Sequence, residues 1–136
     1  MNFFTPEQEA QLLSNGRPEN RDQDHAPVVK LYIPFTHCVW LLSELEHDEP
    51  DIAFGLCDLG MGFPELGNVS LSELASINVA DITVQRDDGF KAEHPMSVYA
   101  EAARSLGHIT DDWFALLVAK TNLETARGDY NTPKPE

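Results

Sequence analysis

The chain has 136 residues, of which 42% are hydrophobic, enough to build one core but too few to build two. Its 23 acidic residues outnumber its 9 basic ones, and the formal net charge of −14 argues against direct binding of duplex DNA. No apolar run is long enough to cross a bilayer, and residues 1–11 lack the hydrophobic segment of a signal peptide. We therefore expect an acidic cytoplasmic domain without membrane contact.

The first predicted element is a short helix. Thr5 suits the N-cap, Pro6 the first helical position, and Gln8 closes a capping box. Gly16 ends the helix, and the polar segment that follows has no periodicity and is predicted to be a mobile connector. This pattern predicts an N-terminal helix at 1–16, a polar connector at 17–27, a single α+β domain at 28–127 and a flexible tail at 128–136.

Segments rich in β-branched, aromatic and aliphatic residues predict an antiparallel meander with strands at 28–33, 38–42 and 52–57. The acidic residues 44–51 form the predicted turn between the second and third strands. Residues 60–64 contain two glycines and a proline and break the chain after the third strand. A fourth strand fits residues 82–85.

Three helical segments follow from capping patterns. Ser70 and Glu73 form a capping-box pattern for one short turn, and residues 97–106 predict a helix that Gly107 ends. Thr110 is the predicted cap of a last helix that ends near Gly128. The predicted fold is α+β, an antiparallel sheet of about four or five strands with helices packed on one face.

The central part of the chain is purely acidic, because no Lys or Arg lies between Lys30 and Arg86. A basic protein partner explains such a surface, and so does solubility alone. If a partner binds, the predicted contact residues are the carboxylates of this stretch: Glu44, Glu46, Asp48, Glu49, Asp51, Asp58 and Glu65.

Two kinds of metal site are conceivable. The acidic run 44–51 offers oxygen ligands for a hard cation, but its spacing matches no EF-hand loop. A zinc site or a Cys/His nucleophile pair would use the residues His37, Cys38, His47 and Cys57. Because both cysteines fall in predicted strands, buried thiols are the favoured interpretation. We predict no metal ligand, no cofactor and no catalytic residue.

Two loops offer weaker candidates for ligand binding. Residues 60–62 carry two glycines after a strand, but neither a third glycine nor a Lys-Ser or Lys-Thr pair follows, so a tight turn is favoured over a phosphate loop. Basic residues interrupt the acidic centre at Arg86, Lys91 and His94. A turn held by salt bridges is favoured there over a ligand site.

Several motifs recur in the order expected of one family: PVVKL (27–31), WLLSEL (40–45), DIAFGLCDLG (51–60), PELG (64–67), SLSEL (70–74), RDDGF (86–90) and SVYAEAAR (97–104). Over residues 27–108 the chain resembles the domain-of-unknown-function family 2958. The resemblance implies a bacterial mobile element, such as a plasmid, integrative element or phage. It implies no activity and no catalytic residue.

The leading hypothesis is an acidic protein-interaction module of a mobile element, by analogy with small acidic inhibitors that imitate the phosphate charge of DNA and block nucleic-acid-handling host proteins. One alternative is a small metal-dependent or hydrolytic enzyme. Another is a single-stranded nucleic-acid binder that stacks bases on Trp40, Phe54 or Phe63. The oligomeric state does not follow from the sequence.

Overall fold

The computed structural model describes residues 2–128. Its helices are α1 (Pro6–Asn15), α2 (Leu71–Ser76), α3 (Met96–Leu106) and α4 (Trp113–Arg127). Its strands are β1 (Val29–Tyr32), β2 (Cys38–Leu45), β3 (Ile52–Leu59), β4 (Glu65–Ser70), β5 (Asn78–Val79), β6 (Ile82–Thr83) and β7 (Gln85–Arg86). Of the predicted tail, only Gly128 belongs to the described residues.

The main sheet has five antiparallel strands in the order β4-β3-β2-β1-β7. The predicted meander and the α+β class are confirmed. The fourth predicted strand, at 82–85, is divided in two: β6 pairs with β5 in a separate two-stranded hairpin, while β7 pairs with β1 at the sheet edge. Strand β4 was not predicted, and it forms the other edge.

Helices cover both faces of the sheet rather than the one face predicted. Successive residues of a strand point to opposite faces, and both Leu41 and Leu42 of β2 are fully buried. Leu42 lies in a cluster with Leu12 of α1 and Leu74 of α2. Leu41 instead lies in a second cluster with buried residues of α3 and α4, such as Ala102 of α3. The central strand therefore separates two apolar layers.

A β-bulge in β2 brings Leu45 into the first of these layers. Leu42 pairs with Gly55, but the next pair joins Glu44 to Phe54, so Ser43 is the extra residue. The bulge shifts the alternation by one position, and Leu45 therefore shares a cluster with Leu42.

Helix α1 docks directly on the bulge. The side-chain Nδ2 of Asn15 donates to the carbonyl oxygen of Ser43 at 2.9 Å, and both residues are buried. Gly16, which follows the helix, approaches so closely that an added Cβ would lie 1.7 Å from the Leu45 carbonyl oxygen. The predicted capping box is present, because Thr5 Oγ1 accepts from Gln8 N at 3.1 Å and Gln8 Oε1 accepts from Thr5 N at 2.9 Å.

The segment predicted as a mobile connector, 17–27, is tied to α3. The Asp24 carboxylate accepts hydrogen bonds from the backbone N–H and the hydroxyl of Ser97, and the carbonyl oxygen of His25 accepts from Met96 N at 2.8 Å. A carboxylate at this position favours the helix N-terminus, where backbone N–H groups lack helical partners. The connector thus supplies the cap that α3 lacks in its own sequence.

Helices α3 and α4 end as the sequence predicts. Gly107 and Gly128 follow them in the left-handed conformation, with φ of 81° and 74°. The start of α4 differs, because Asp112 is the N-cap and accepts from Ala115 N at 2.9 Å. Thr110 instead accepts a hydrogen bond from Asp112 N at 3.0 Å.

Candidate functional site

The connection between β2 and β3 carries the most exposed part of the predicted acidic site. Asp48 and Glu49 are exposed, and Glu46 is half-buried at the end of β2. Backbone hydrogen bonds from Glu46 N to Ile52 O, and from Ile52 N to Glu49 O, fix the turn. Within residues 2–128, no ion pair involves these three carboxylates.

Glu44 lies just before this turn and is half-buried. Burial is the main cause that raises the pKa of Glu44 above its usual value, and the charge of Glu46 acts in the same direction. His25 and Arg21 oppose this rise in the pKa. Glu44 is therefore less accessible to a partner than the exposed carboxylates of the turn.

Asp51 holds two elements together. Its Oδ2 accepts from the hydroxyls of Ser70 and Ser72, at 3.0 and 2.8 Å, and its Oδ1 accepts from Ser72 N at 3.0 Å. The bond from the Ser72 side chain is the main cause that lowers the pKa of the Asp51 carboxyl. Asp51 thus keeps an exposed charge, but its oxygens already anchor the start of α2.

Asp58 is not available to a partner, which corrects its assignment as a contact residue. Its exposed fraction is 2%. Oδ1 accepts from Gly60 N at 2.8 Å, and Oδ2 accepts from Ile109 N at 3.0 Å. Asp58 joins β3 to the loop between α3 and α4.

Glu65 is exposed but lies away from the acidic turn. It pairs with Cys57, whereas Ser70 at the other end of β4 pairs with Ile52 next to the turn. Five residue steps along a strand span about 17 Å. The predicted contact residues therefore do not form one surface. Those that remain together are the half-buried Glu46 and the exposed Asp48, Glu49 and Asp51.

The histidines and cysteines of the conceivable zinc site do not assemble into one cluster. His37 precedes β2 and His47 follows it, so the two histidines lie at opposite ends of an eight-residue strand. Cys38 and Cys57 pack against the first apolar layer as free thiols, and burial raises the pKa of Cys57. Among the described residues, no group of three or more His, Cys, Asp or Glu side chains could hold a metal ion.

A family model described as a protein of unknown function, DUF2958, matches residues 3–110. The chain belongs to this family. The resemblance seen in the sequence is confirmed, but its first limit at residue 27 was too late, because the match includes α1. Helix α4 lies beyond the match. No curated protein and no solved structure gives a significant match to the chain.

Two loops of this DUF2958 member, the glycine-containing residues 60–62 and the charged turn after β7, have the local structures that the sequence favours. Gly60 and Gly62 adopt φ of 76° and 87°, which few other residues tolerate, so residues 60–62 form a tight turn. Arg86 Nε lies 2.6 Å from Asp88 Oδ1, and Lys30 Nζ lies 3.6 Å from Asp87 Oδ2. The turn after β7 is held by ion pairs.

Aromatic exposure differs from the predicted stacking set. Trp40 is 3% exposed and Phe54 is half-buried, whereas Phe63 is 82% exposed. The sequence analysis missed Phe35, which is 94% exposed in the loop between β1 and β2. Its position directly after Pro34, outside any predicted strand, was the available signal.

In the described part of the chain, no helix has the length and apolar character needed to cross a bilayer.

The sequence analysis also missed an open cavity of about 580 Å³ between the loop after β7 and the start of α4. Phe90, Tyr99 and Trp113 line it together with several carboxylates. The sequence analysis weighed this loop as a ligand site but favoured a turn held by salt bridges, because the residues that complete the cavity lie about twenty positions further along the chain.

Proposed function

We propose that this DUF2958 protein is an acidic interaction module that binds a basic, nucleic-acid-handling protein through the turn between β2 and β3. The observation that carries the proposal is the exposed pair Asp48 and Glu49, which no ion pair among the described residues neutralises. Glu46 and Asp51 flank this pair and extend the negative charge. Uncompensated surface charge of one sign attracts a partner of the opposite sign over several ångströms.

The net charge of −14 supports the same partner chemistry. Proteins that handle nucleic acids carry basic surfaces for the phosphate backbone, and a protein with exposed carboxylates competes for those surfaces. An inhibitor that imitates DNA is the specific form of this proposal, and a role in a mobile genetic element is its biological setting. Both rest on analogy with small acidic inhibitors.

The two alternative functions have less support. A metal-dependent or hydrolytic enzyme would need a cluster of ligands or a nucleophile beside a base, and the described residues contain no cluster of potential metal ligands. A single-stranded nucleic-acid binder would have to stack bases on Phe63 and Phe35, since Trp40 is buried. Neither phenylalanine has a Lys or Arg within two positions in the sequence, and stacking modules normally need a basic groove.

The test is affinity capture from a host-cell lysate at low and at high salt, with mass-spectrometric identification of the bound proteins. We expect a basic nucleic-acid-handling protein that high salt releases. Its affinity for the purified chain should fall at least tenfold in the variant Asp48→Lys/Glu49→Lys, because two attractive charges become repulsive.

The matched control is Glu65→Lys/Glu124→Lys, which changes the net charge equally at two solvent-accessible sites away from the turn. It should lower the affinity much less than the turn variant does. Equal losses in both variants would mean that only the total charge matters, and this would contradict a binding surface at the turn. A captured partner insensitive to both salt and charge reversal would contradict the whole proposal.

A further inference from the structure

The open cavity beside α4 has the size of a small-ligand site. Its volume of about 580 Å³ lies within the range of such sites, about 300–1,000 Å³. Residues 87–93 form one wall, and the residues that open α4 form the facing wall. The backbone of the first wall is fixed, because Glu93 N donates to the Tyr99 hydroxyl at 3.1 Å and Phe90 N donates to Asp87 O at 3.2 Å.

Aromatic rings supply the apolar part of the cavity. Tyr99 is 3% exposed and packs edge-to-face with Phe90, with their ring centroids 6.2 Å apart. Trp113 is 68% exposed although it lines the same cavity. An indole ring so exposed leaves a large aromatic surface available to a ligand, and aromatic faces attract cations.

The charged groups of the lining favour a cation. The carboxylates are Asp87, Glu93, Asp111 and Asp112, and among the described residues of the lining Lys91 is the one basic side chain. The hydrogen bonds of Asp111 and Asp112 run through one oxygen of each, Oδ2, to Lys30 Nζ and to Ala115 N. Among the hydrogen bonds between described residues, Glu93 only donates, through its backbone N–H, and its carboxylate accepts none.

The chain itself already places a cation at this rim. Lys30 reaches it from β1, and its Nζ lies 2.7 Å from Asp111 Oδ2 and 3.6 Å from Asp87 Oδ2. Its side chain is only 18% exposed. Carboxylates at the rim therefore bind an ammonium group of the chain itself, which is the kind of contact that a cationic ligand would make.

We propose that this cavity binds a guanidinium group, stacked on Trp113 and hydrogen-bonded to Glu93 and to Oδ1 of Asp111 or Asp112. A planar guanidinium combines ring stacking with several N–H donors that match carboxylates, whereas an ammonium group does not stack. The site uses none of the residues of the acidic turn. It therefore goes beyond the proposed function, and either can fail without the other.

The first experiment titrates the full chain with the blocked peptide acetyl-Gly-Arg-Gly-amide in about 0.15 M salt, where non-specific attraction is screened. Trp113 is a built-in probe, because Trp40 is buried and should report little. We expect saturable quenching of the tryptophan emission. The citrulline peptide, which is nearly isosteric but neutral, should bind at least tenfold more weakly, and the lysine peptide should bind more weakly than the arginine peptide. Agmatine tests whether a free guanidinium compound binds as well as a side chain does.

Calorimetry on variants locates the site. Trp113→Leu and, separately, Glu93→Gln should weaken binding of the arginine peptide about tenfold, because they remove the stacking surface and a charged acceptor. The control Phe114→Leu changes the neighbouring ring, which is 58% exposed but outside the cavity, and should alter the affinity less than twofold. Glu93→Gln is a surface change that leaves the fold intact, so its result stands even if Trp113→Leu destabilises α4.

Absence of saturable binding of the arginine peptide would overturn the proposal. Equal binding of the citrulline peptide would do the same, because the cavity would then not recognise the charge. A third outcome would also overturn the proposal. If Phe114→Leu lowered the affinity as much as Trp113→Leu, and Glu93→Gln had no effect, the ligand would bind elsewhere on α4.

Discussion

The Oδ2 atom of Asp58 accepts a hydrogen bond from the backbone N–H of Ile109 at 3.0 Å, across 51 positions in the sequence. Its Oδ1 atom accepts from Gly60 N at 2.8 Å, and the residue is almost fully buried. A carboxylate removed from water is costly unless donors replace the lost hydration. These two backbone donors make Asp58 a structural link between the end of β3 and the loop that leads into α4.

Asp58→Ala should lower the free energy of unfolding by about 2–4 kcal/mol, because two backbone N–H groups lose a charged acceptor. Asp48→Ala is the control, since this exposed carboxylate makes no ion pair among the described residues, and it should change the stability by less than about 0.5 kcal/mol. Urea unfolding measures both variants. Equal stabilities of the two variants would show that the Asp58 link is unimportant.

Gly16→Ala should destabilise the protein by about 3 kcal/mol or more. The new Cβ would lie 1.7 Å from the carbonyl oxygen of Leu45, so α1 would have to move away from β2. Gly67→Ala offers a control in β4, because a Cβ there meets no atom within 4 Å. Thermal unfolding should show a large decrease in Tm for the first variant and little change for the second. A Gly16→Ala protein as stable as the parent would contradict this packing of α1.

The pKa of Asp51 should be below 3.8, its ordinary value, when measured by NMR titration of the carboxyl group. Ser72→Ala removes the main cause of the lowered pKa, and the pKa should rise toward the ordinary value. Ser76→Ala, in the same helix, should leave the pKa of Asp51 unchanged. Ser76 is a suitable control because its hydroxyl bonds to Glu73 O and not to Asp51.

The same shift predicts the pH dependence of stability. A carboxyl whose pKa is lower in the folded state stabilises the fold above its unfolded pKa, and this stability is lost as the pH falls through the folded-state pKa. The stability difference between the parent and Ser72→Ala should therefore be complete at neutral pH and should close below pH 3.8, the ordinary value. A difference that stays constant across this window would mean that the bond does not depend on the charge of Asp51.

Glu44 should show the opposite pH dependence, because burial raises the pKa of its carboxyl above 4.5 in the folded state. The folded state then favours the protonated form, and this advantage is lost as the pH rises through the folded-state pKa. Glu44→Gln should raise the stability at neutral pH by less than about 0.5 kcal/mol, because solvent screens this partly exposed charge, and by nothing below the ordinary pKa. Glu49→Gln, at an exposed position, should show no such dependence. Denaturant unfolding across the pH range decides between these outcomes.

Local signals in the sequence predict those elements whose ends are set by their own residues. The capping box at Thr5 and Gln8 starts α1, and Gly107 ends α3, because both features act within one helical turn. Strand β4 has no such signal, since its sequence ELGNVS combines low strand propensity with three polar residues and a glycine. Its backbone is extended because it pairs with β3, which is a contact that no local pattern reveals.

The sequence shows that the central part of the chain is acidic, but it does not show which of the carboxylates are exposed. Asp48 and Asp58 are equivalent in the sequence, as acidic residues near strand ends, but one is exposed and the other is 2% exposed. The burial of Asp58 depends on Ile109, which the fold brings beside it from a distant part of the chain. For the same reason the cavity at Trp113 escaped prediction, since its walls come from the loop after β7 and from the start of α4.

The extra residue Ser43 has a consequence for how relatives can vary in length. If one codon were deleted there, regular pairing would keep Leu42 and Leu45 on one face, but the bulge carbonyl that accepts from Asn15 Nδ2 would be lost, and with it a buried link to α1. The turn that follows can gain or lose residues at little cost, because its loop carries no core side chain. In an alignment of relatives, gaps should therefore gather at residues 47–50 and be rare at Ser43.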